Sequence, residues 1–402
     1  MSGGQFLVGT GVTIGVAGVA TFRSGRIDVG DSLYNTSIGF AAGDAHTTGN
    51  NNIAVGRGAL DQNTTGGANV AVGSLSLDAN TTGASNIAVG YRALSGNTTA
   101  NQNTAVGYDA LLTNTTGAYN AAFGAYALQA STTSSFNAAF GDSSLYTNTT
   151  GEKNAAFGYK ALYTNSTGVR NSAFGYTALE NNSTGDYNTA VGAYALDANT
   201  TADDNTAVGY IALLANTTGP NNTAVGAYAL DANTTAGQNT AVGRSALSAS
   251  NADDNTAVGK SALAASTTGA RNNALGSSAL VANTTGDDNT ALGGFSLATN
   301  TTGSDNTAVG SYALNKSTTA SNNTAVGKSA LQVNTTGTQN TAVGGIALDA
   351  NTTGNYNVAI GYNALTDNET GSNNTAVGTE ALENNTGSNN TAVGALALDA
   401  NT

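Results

Sequence analysis

Residues 205–219 read Asn-Thr-Ala-Val-Gly-Tyr-Ile-Ala-Leu-Leu-Ala-Asn-Thr-Thr-Gly, and close variants of this stretch recur from residue 35 to the end of the sequence. The glycine that ends the Asn-Thr-Ala-Val-Gly block recurs 22 times, from Gly39 to Gly394. Its spacing is 17 residues, except for 16 before Gly259 and before Gly394. A fixed period of this kind is the signature of a repeat architecture. The sequence therefore predicts a shaft over residues 35–402, built from about 22 equivalent coils.

The repeat favours strands over helices. Each unit typically carries two glycines and an Asn-Thr-Thr cluster, which leaves no room for a stable helix. The short block before the first glycine is typical of a strand that enters a bend. The predicted fold class is all-β, a parallel β-solenoid (β-roll) in which each 17-residue repeat forms one coil. Coils about 4.8 Å apart would give a rod about 100 Å long.

Differences among the copies separate essential positions from replaceable ones. Asn stands four residues before the first glycine in every copy, and Leu stands four residues after it in all copies but the first. The second glycine, which follows Asn-Thr-Thr, is replaced by Ala or Ser in five copies. Only the first glycine is therefore predicted to need a backbone geometry that a Cβ forbids. The predicted structural residues are Asn103, Asn120, Asn137 and Asn154, which should bond to adjacent coils; Gly107, Gly124, Gly141 and Gly158; and Leu111 and Leu128.

A volume correlation predicts which residues share a face of the strand. Four successive coils place Phe before the first glycine, and in those coils the residue two positions earlier is small. Residues two apart in a strand lie on one face, so a packed compartment is indicated. We expect this face to be the coil interior, and the opposite face, where Ala stands in 21 of 22 coils, to contact another chain. The pairs are Phe123 with Ala121, Phe140 with Ala138, Phe157 with Ala155, and Phe174 with Ser172.

Two coils have 16 residues, and the strand pattern predicts where each lacks its residue. A residue lost within a strand would turn alternate side chains to the wrong face. We expect each deletion to lie in the Asn-Thr-Thr loop, around Ser250-Asn251 and Asn385-Thr386.

Composition argues against several classes of function. The chain has 9% charged residues, a net charge of −13 and no cysteine. A nucleic-acid partner is not expected, because phosphate binding needs clustered Lys and Arg. The longest apolar stretch, Val12 to Phe22, is too short to span a bilayer, and no basic secretory start is evident. We therefore expect a chain made in the cytoplasm, without membrane insertion.

No catalytic or metal-binding pattern is present in the sequence. His46 is the single histidine, and the aspartate pairs at 203–204, 253–254 and 287–288 are read as loop charges rather than as calcium sites. The Asn-Thr-Thr glycosylation patterns are read as loop residues of the repeat. The protein is predicted not to be an enzyme and to need no cofactor or metal. Tyrosines that follow the first glycine suggest either a cover over the coil edge, the favoured interpretation, or a sugar-binding stripe: Tyr91, Tyr108, Tyr159, Tyr176 and Tyr210.

The motif of residues 205–219 resembles the repeat arrays of bacteriophage tail fibres, especially those of marine phages. It is also similar to the Ser-Val-Ala-Ile-Gly repeats in the head domains of trimeric autotransporter adhesins. The adhesin resemblance implies a left-handed parallel β-roll and a homotrimer. The run from Val8 to Thr21 resembles segments of cyanophage fibres.

These resemblances imply a structural fibre or adhesion protein. The favoured function is a phage tail-fibre shaft, located in the virion, that projects a host-binding tip. Residues 1–34 would form a β-rich attachment or capping segment that docks on the phage tail, the baseplate or another anchoring protein. A distal tip or a partner would bind the host receptor. The alternatives are a bacterial cell-surface or extracellular filament of the trimeric β-roll type and, third, an ice-binding solenoid, suggested by the threonine repeats.

Overall fold

The computed structural model describes residues 31–399. In this range the structure is all-β, with 22 strands of three residues each and no helix. The strands are β1 (Thr36–Ile38), β2 (Ile53–Val55), β3 (Val70–Val72), β4 (Ile87–Val89), β5 (Thr104–Val106), β6 (Ala121–Phe123), β7 (Ala138–Phe140), β8 (Ala155–Phe157), β9 (Ser172–Phe174), β10 (Thr189–Val191), β11 (Thr206–Val208), β12 (Thr223–Val225), β13 (Thr240–Val242), β14 (Thr256–Val258), β15 (Asn273–Leu275), β16 (Thr290–Leu292), β17 (Thr307–Val309), β18 (Thr324–Val326), β19 (Thr341–Val343), β20 (Val358–Ile360), β21 (Thr375–Val377) and β22 (Thr391–Val393).

Each strand pairs in parallel with the strand of the next repeat. Ala121 lies opposite Ala138 and Phe123 opposite Phe140, and the same pairing continues from β1 to β22. The strands therefore form one sheet, and each repeat is one turn of a β-solenoid. This confirms the predicted fold class and the assignment of one repeat to one coil. At strand spacing the stack is about 100 Å long.

Both deletions lie in the Asn-Thr-Thr loop, as predicted. Thr240 pairs with Thr256 and Thr375 with Thr391, so the strands keep their register across the 16-residue coils. In the first of these coils the Asn251 Oδ1 accepts hydrogen bonds from the backbone N–H groups of Thr234 and Thr235, both at 3.1 Å. In ordinary coils a loop carbonyl accepts both bonds, as Thr81 does from Thr64 and Thr65. A side-chain amide oxygen thus substitutes for a backbone carbonyl where the loop is one residue shorter.

The first glycine of each repeat adopts a backbone conformation that other residues avoid. Gly107 has φ of +142°, and a Cβ added there would collide with the carbonyl oxygen of Gly124 in the next coil. All first glycines have φ between +126° and +147°, and the collision with the next coil recurs at each of them except Gly394. The predicted need for glycine therefore has two causes, the backbone angle and the stacking of the next coil.

The coil interior is lined by the opposite strand face from the one expected. The central alanines of the strands, such as Ala122 and Ala139, have no exposed surface, whereas Phe123, Phe140 and Phe157 are partly exposed and Phe174 is 40% exposed. The assignment of the phenylalanines to the interior, and of the alanines to an intermolecular contact, is therefore wrong. A 17-residue coil encloses a narrow space, which the alanines, one Leu and the buried asparagines already fill.

The buried leucine of each coil occupies an uncommon conformation. Leu111 and Leu128 have φ of +53° and +52° and no exposed surface. Bulky residues rarely adopt left-handed angles, which cost about 1–2 kcal/mol each. Full burial of a leucine contributes about 1.5–3 kcal/mol and offsets this cost. The leucine column therefore stabilises the sharp turn after the glycine.

The predicted attachment segment, residues 1–34, lies almost entirely outside the described residues. At the start of the described part, the carboxylate of Asp31 accepts hydrogen bonds from the backbone N–H of Asn35 at 2.9 Å and from its side-chain amide at 3.0 Å. These bonds, the backbone one above all, lower the pKa of Asp31. Asp31 thus takes the place of the asparagine that a preceding coil would supply.

Candidate interaction face

The asparagines before the strands form a continuous buried ladder, here called the first asparagine ladder. Asn120 accepts a bond at its Oδ1 from the backbone N–H of Asn137 at 3.0 Å, and its own N–H donates to the Oδ1 of Asn103 at 2.9 Å. Its Nδ2 donates to the carbonyl of Ser134 at 2.8 Å. Asn154 continues the pattern with Asn137. Each asparagine residue thus links three levels, because its backbone N–H bonds to the preceding coil and its side chain bonds to the following one.

A second asparagine ladder begins each Asn-Thr-Thr cluster, where the repeat pattern alone predicts only a loop. The Nδ2 of Asn80 donates to the Oδ1 of Asn63 at 2.8 Å and to the carbonyl of Gly83 at 2.9 Å, and both asparagines are fully buried. The signal was present in the sequence, since Asn or Ser stands there in every coil from Asn63 to Asn385. Because these side-chain amides are buried and already donate, they are not available for glycosylation in the folded chain. The structure gives these asparagines a role in linking the coils, and the absence of glycosylation stays a prediction.

The outward side chains of strands β1–β22, at the first and third strand positions, form what we call the strand face. No charged residue occurs at any of these positions, although the chain has a net charge of −13. The third position is Val, Ile, Leu or Phe in all 22 strands. Ile38, Leu275 and Val393 are 51%, 48% and 72% exposed in the single chain. The result is an unbroken apolar column that faces outward along the whole solenoid.

Within the strand face, the four phenylalanines form one stacked column. The ring centroids of Phe123 and Phe140, and of Phe140 and Phe157, are 4.7 Å apart, and those of Phe157 and Phe174 are 4.8 Å apart. The rings are nearly parallel, with angles of 4° to 9° between their planes. The predicted continuous aromatic column exists, but on the outside of the coil. The pairing of each Phe with a small residue two positions earlier therefore belongs to an outer surface and not to the coil interior.

Comparison with known proteins adds no assignment. No protein-family model matches this chain, and no curated protein matches it. The interpretation of the strand face therefore depends on its own geometry and on the repeat motif.

The tyrosines that follow the first glycine contact one another along a different edge. Tyr91 and Tyr108 stack with centroids 5.4 Å apart, and Tyr159 and Tyr176 stack at 5.3 Å. These rings are about half exposed. Stacked neighbours cover each other's faces, so the geometry supports the interpretation as a cover over the coil edge more than the sugar-binding stripe. Tyr210 extends this edge through a T-shaped contact with Tyr228.

The aspartate pairs serve the loop backbone. The first member of each pair accepts a hydrogen bond from a backbone N–H of the preceding coil, as Asp203 does from Asp186 and Asp287 from Ala270. Asp253 does the same for Gly237. Across residues 31–399 no group of His and carboxylate side chains is arranged to hold a metal ion. The same residues contain no helix able to cross a bilayer.

An exposed threonine column runs beside the second asparagine ladder. The second Thr of Asn-Thr-Thr is threonine in every 17-residue coil from Thr48 to Thr370, and it is exposed in each. Its hydroxyl has no hydrogen-bond partner among the described residues, whereas the first Thr donates to the next coil, as Thr64 does to the carbonyl of Thr81 at 3.0 Å. A β-branched residue suits a stacked extended backbone, which accounts for part of this invariance.

Four half-buried aspartates carry raised pKa values, and two of them, Asp197 and Asp349, are shifted furthest. Burial raises the pKa of Asp197 to about 6, helped by the negative charge of Glu180, and burial likewise raises that of Asp349 to about 6. One carboxylate oxygen of each lacks a hydrogen-bond partner. Asn315 stands at the equivalent position of another coil, where its amide donates to the carbonyl of Phe295 at 2.9 Å. At this position a side-chain amide can donate a hydrogen bond to a backbone carbonyl, which an ionised carboxylate cannot do.

We expect Asp197→Asn to stabilise the protein at pH 7 and to have little effect near pH 3.5. Between the unfolded pKa of about 4 and the folded value, the folded chain binds a proton that the unfolded chain does not, so stability falls as pH rises through this window. Because the side chain is half exposed, the gain at pH 7 is discounted to about 1 kcal/mol. Urea unfolding at both pH values measures it. Asp305→Asn, in an exposed loop, should change neither value; an equal gain for Asp305→Asn would contradict the burial argument.

Proposed function

We propose that this chain is the shaft of a structural fibre, in which copies of the chain associate through the strand face. The observation that carries the proposal is the unbroken, uncharged apolar column over 22 outward-facing strand positions. At about 100 Å by 10 Å, the face offers roughly 1,000 Å² per chain, more than the roughly 800 Å² per partner of a stable interface. Burial of such a face is strongly favourable, while the acidic loops stay in water.

Three parallel copies around a common axis are the arrangement we favour. Cyclic closure is the usual outcome for identical chains, and the number three comes from the resemblance to trimeric β-rolls. Stacked backbone hydrogen bonds and two buried asparagine ladders would make each chain stiff along its axis. A stiff, uniform rod is suited to hold a binding tip away from its anchor.

We further propose that the fibre belongs to a phage tail, with residues 1–34 toward the anchor and receptor binding at a distal tip or partner. The support is the resemblance of the repeat motif to marine phage fibres. A bacterial surface filament of the trimeric β-roll type is the main alternative. Ice binding is the third, and the exposed threonine column is the observation that favours it; a measurement of thermal hysteresis, the gap between the melting and freezing points of the solution, tests it.

The variant Val208→Asp/Val225→Asp tests self-association. Two adjacent charges in the apolar column should separate the copies, because each charge would lose its water in the interface. The particle mass should fall to that of one chain, while circular dichroism keeps its β signal, since both side chains face outward. Light scattering coupled to gel filtration measures the mass.

The matched control is Asn221→Asp/Gln238→Asp, which adds the same charges to the same two coils in an exposed loop. Asp204 and Asp254 already stand in this loop column, so the control should keep the wild-type mass. A wild-type chain that is a stable monomer would overturn the proposed self-association, as would a Val208→Asp/Val225→Asp variant with the wild-type mass.

A further inference from the structure

We propose that the four phenylalanine coils, β6 to β9, set the axial register of the chains in the fibre. We call the outward side chains of these four strands the phenylalanine block. In the assembled fibre the phenylalanine block of each chain would pack at the same level as that of its neighbour. The inference rests on the proposed self-association. It specifies which part of the strand face fixes the position of each chain along the fibre axis relative to its neighbour.

A uniform shaft carries little information about register. Outward Thr and Val repeat in strands β10 to β14, so a copy displaced by one coil would meet nearly the same surface. Strands with repetitive faces are prone to slip. The phenylalanine block differs most from this pattern, because within residues 31–399 no other strand places Phe on the strand face. The other departures from outward Thr and Val, in β1–β4, β15, β16 and β20, are aliphatic residues or Asn. The phenylalanine block is therefore a unique mark along the rod.

In the phenylalanine block a large residue at the third strand position always accompanies a small residue at the first. In a chain surrounded by water, an outward Phe would set no limit on an outward residue two positions away. Yet all four Phe strands carry Ala or Ser at their first position, where the neighbouring strands β5 and β10 carry Thr. Ring stacking along the axis, at 4.7–4.8 Å, does not require this reduction either. This paired change in size therefore indicates that another surface covers the strand face and lies at a fixed distance from it.

Rotational packing of identical chains explains why both residues change in the same coil. Around a common axis, the third strand position of one chain can oppose the first position of its neighbour at the same level. In register, Phe140 then packs over Ala138 of a second copy, as Val packs over Thr elsewhere. A slip of one coil leaves one Phe over a Thr and one Val over a small residue in each interface, and a slip of four coils leaves four of each. Overfilled and empty sites both destabilise packing.

The test is a chain with the phenylalanine block moved by four coils, expressed together with the wild type. The full-length shifted chain carries Ala121→Thr, Phe123→Val, Ala138→Thr, Phe140→Val, Ala155→Thr, Phe157→Val, Ser172→Thr, Phe174→Val, Thr189→Ala, Val191→Phe, Thr206→Ala, Val208→Phe, Thr223→Ala, Val225→Phe, Thr240→Ala and Val242→Phe. Both patterns already occur on the same backbone, so the chain should fold. A mass tag distinguishes the two chains in native mass spectrometry.

We expect each chain to assemble with its own kind. Random mixing of equal amounts in trimers would make roughly three quarters of the particles mixed; the proposal predicts a mixed share lower by about tenfold or more. A tagged wild-type chain, and the Asn221→Asp/Gln238→Asp chain, should both mix randomly with the wild type. Random mixing of the shifted chain, with particle mass unchanged, would overturn the register role and leave the fibre proposal standing. Monomeric wild-type chains would overturn both.

Discussion

Replacing Gly259 by Ala should cost about 3–5 kcal/mol of stability in the coils around it. Gly259 has φ of +137°, a region that side chains rarely adopt. An added Cβ would also lie 2.5 Å from the carbonyl oxygen of Gly276 in the next coil. The backbone would have to rotate, which would break the hydrogen bond from the N–H of Gly259 to Val242. Because each coil contacts only its neighbours, the damage should be local.

Hydrogen–deuterium exchange is the suitable measurement, since a solenoid of this length need not unfold in one step. Strands β13 to β15 should lose protection, while β3 to β6 should keep it. The matched control is Gly269→Ala in the same coil. A Cβ there would also approach a carbonyl, that of Gly286 at 2.5 Å, but its φ is not left-handed, and Ala100 and Ala202 show that this loop accommodates a methyl group. Equal losses for both variants would refute the backbone argument.

Replacing Asn120 by Ala should cost about 3–5 kcal/mol, because it leaves buried polar groups without partners. The N–H of Asn137 would lose its acceptor and the carbonyl of Ser134 would lose its donor. Asn120 is 2% exposed, so water cannot easily replace either bond. Unpaired groups of this kind cost about 1–3 kcal/mol each. Because the side chain of Ala is smaller than that of Asn, the substitution also leaves a cavity in an otherwise filled interior.

The effect should appear as loss of amide protection at Asn137 and in strands β6 and β7. Asn101→Ala is the control, because the Asn101 Oδ1 also accepts a backbone bond, from Ala84, but in an exposed loop where water can substitute. Other coils hold Ala at this loop position, as Ala118 does. We expect a cost below about 1 kcal/mol for the control. Unchanged protection at Asn137 in Asn120→Ala would mean that the first asparagine ladder does not hold adjacent coils together.

The repeat pattern alone predicts the period, the strands, the parallel stacking and the site of both deletions. These features follow from backbone rules that act locally or at a fixed spacing. Gly107 must be glycine because of its own backbone angle, and a loop deletion preserves the strand register because alternation in a strand has period two. Twenty-two internal copies make such constraints visible, since Asn103 and its equivalents never vary while the second glycine does.

Which strand face lies inside the coil is visible only in the folded chain. Alternation separates Phe140 from Ala139 but does not say which of them faces the core, and volume compensation operates on any covered surface. Which face points inward depends on the size of the space that the coil encloses. The turn at the left-handed leucine and the two asparagine ladders make this space narrow. That space accepts Ala139 and Leu145 with no exposed surface. The larger Phe140 is left on the outer face, where its stacked ring remains partly exposed in the single chain.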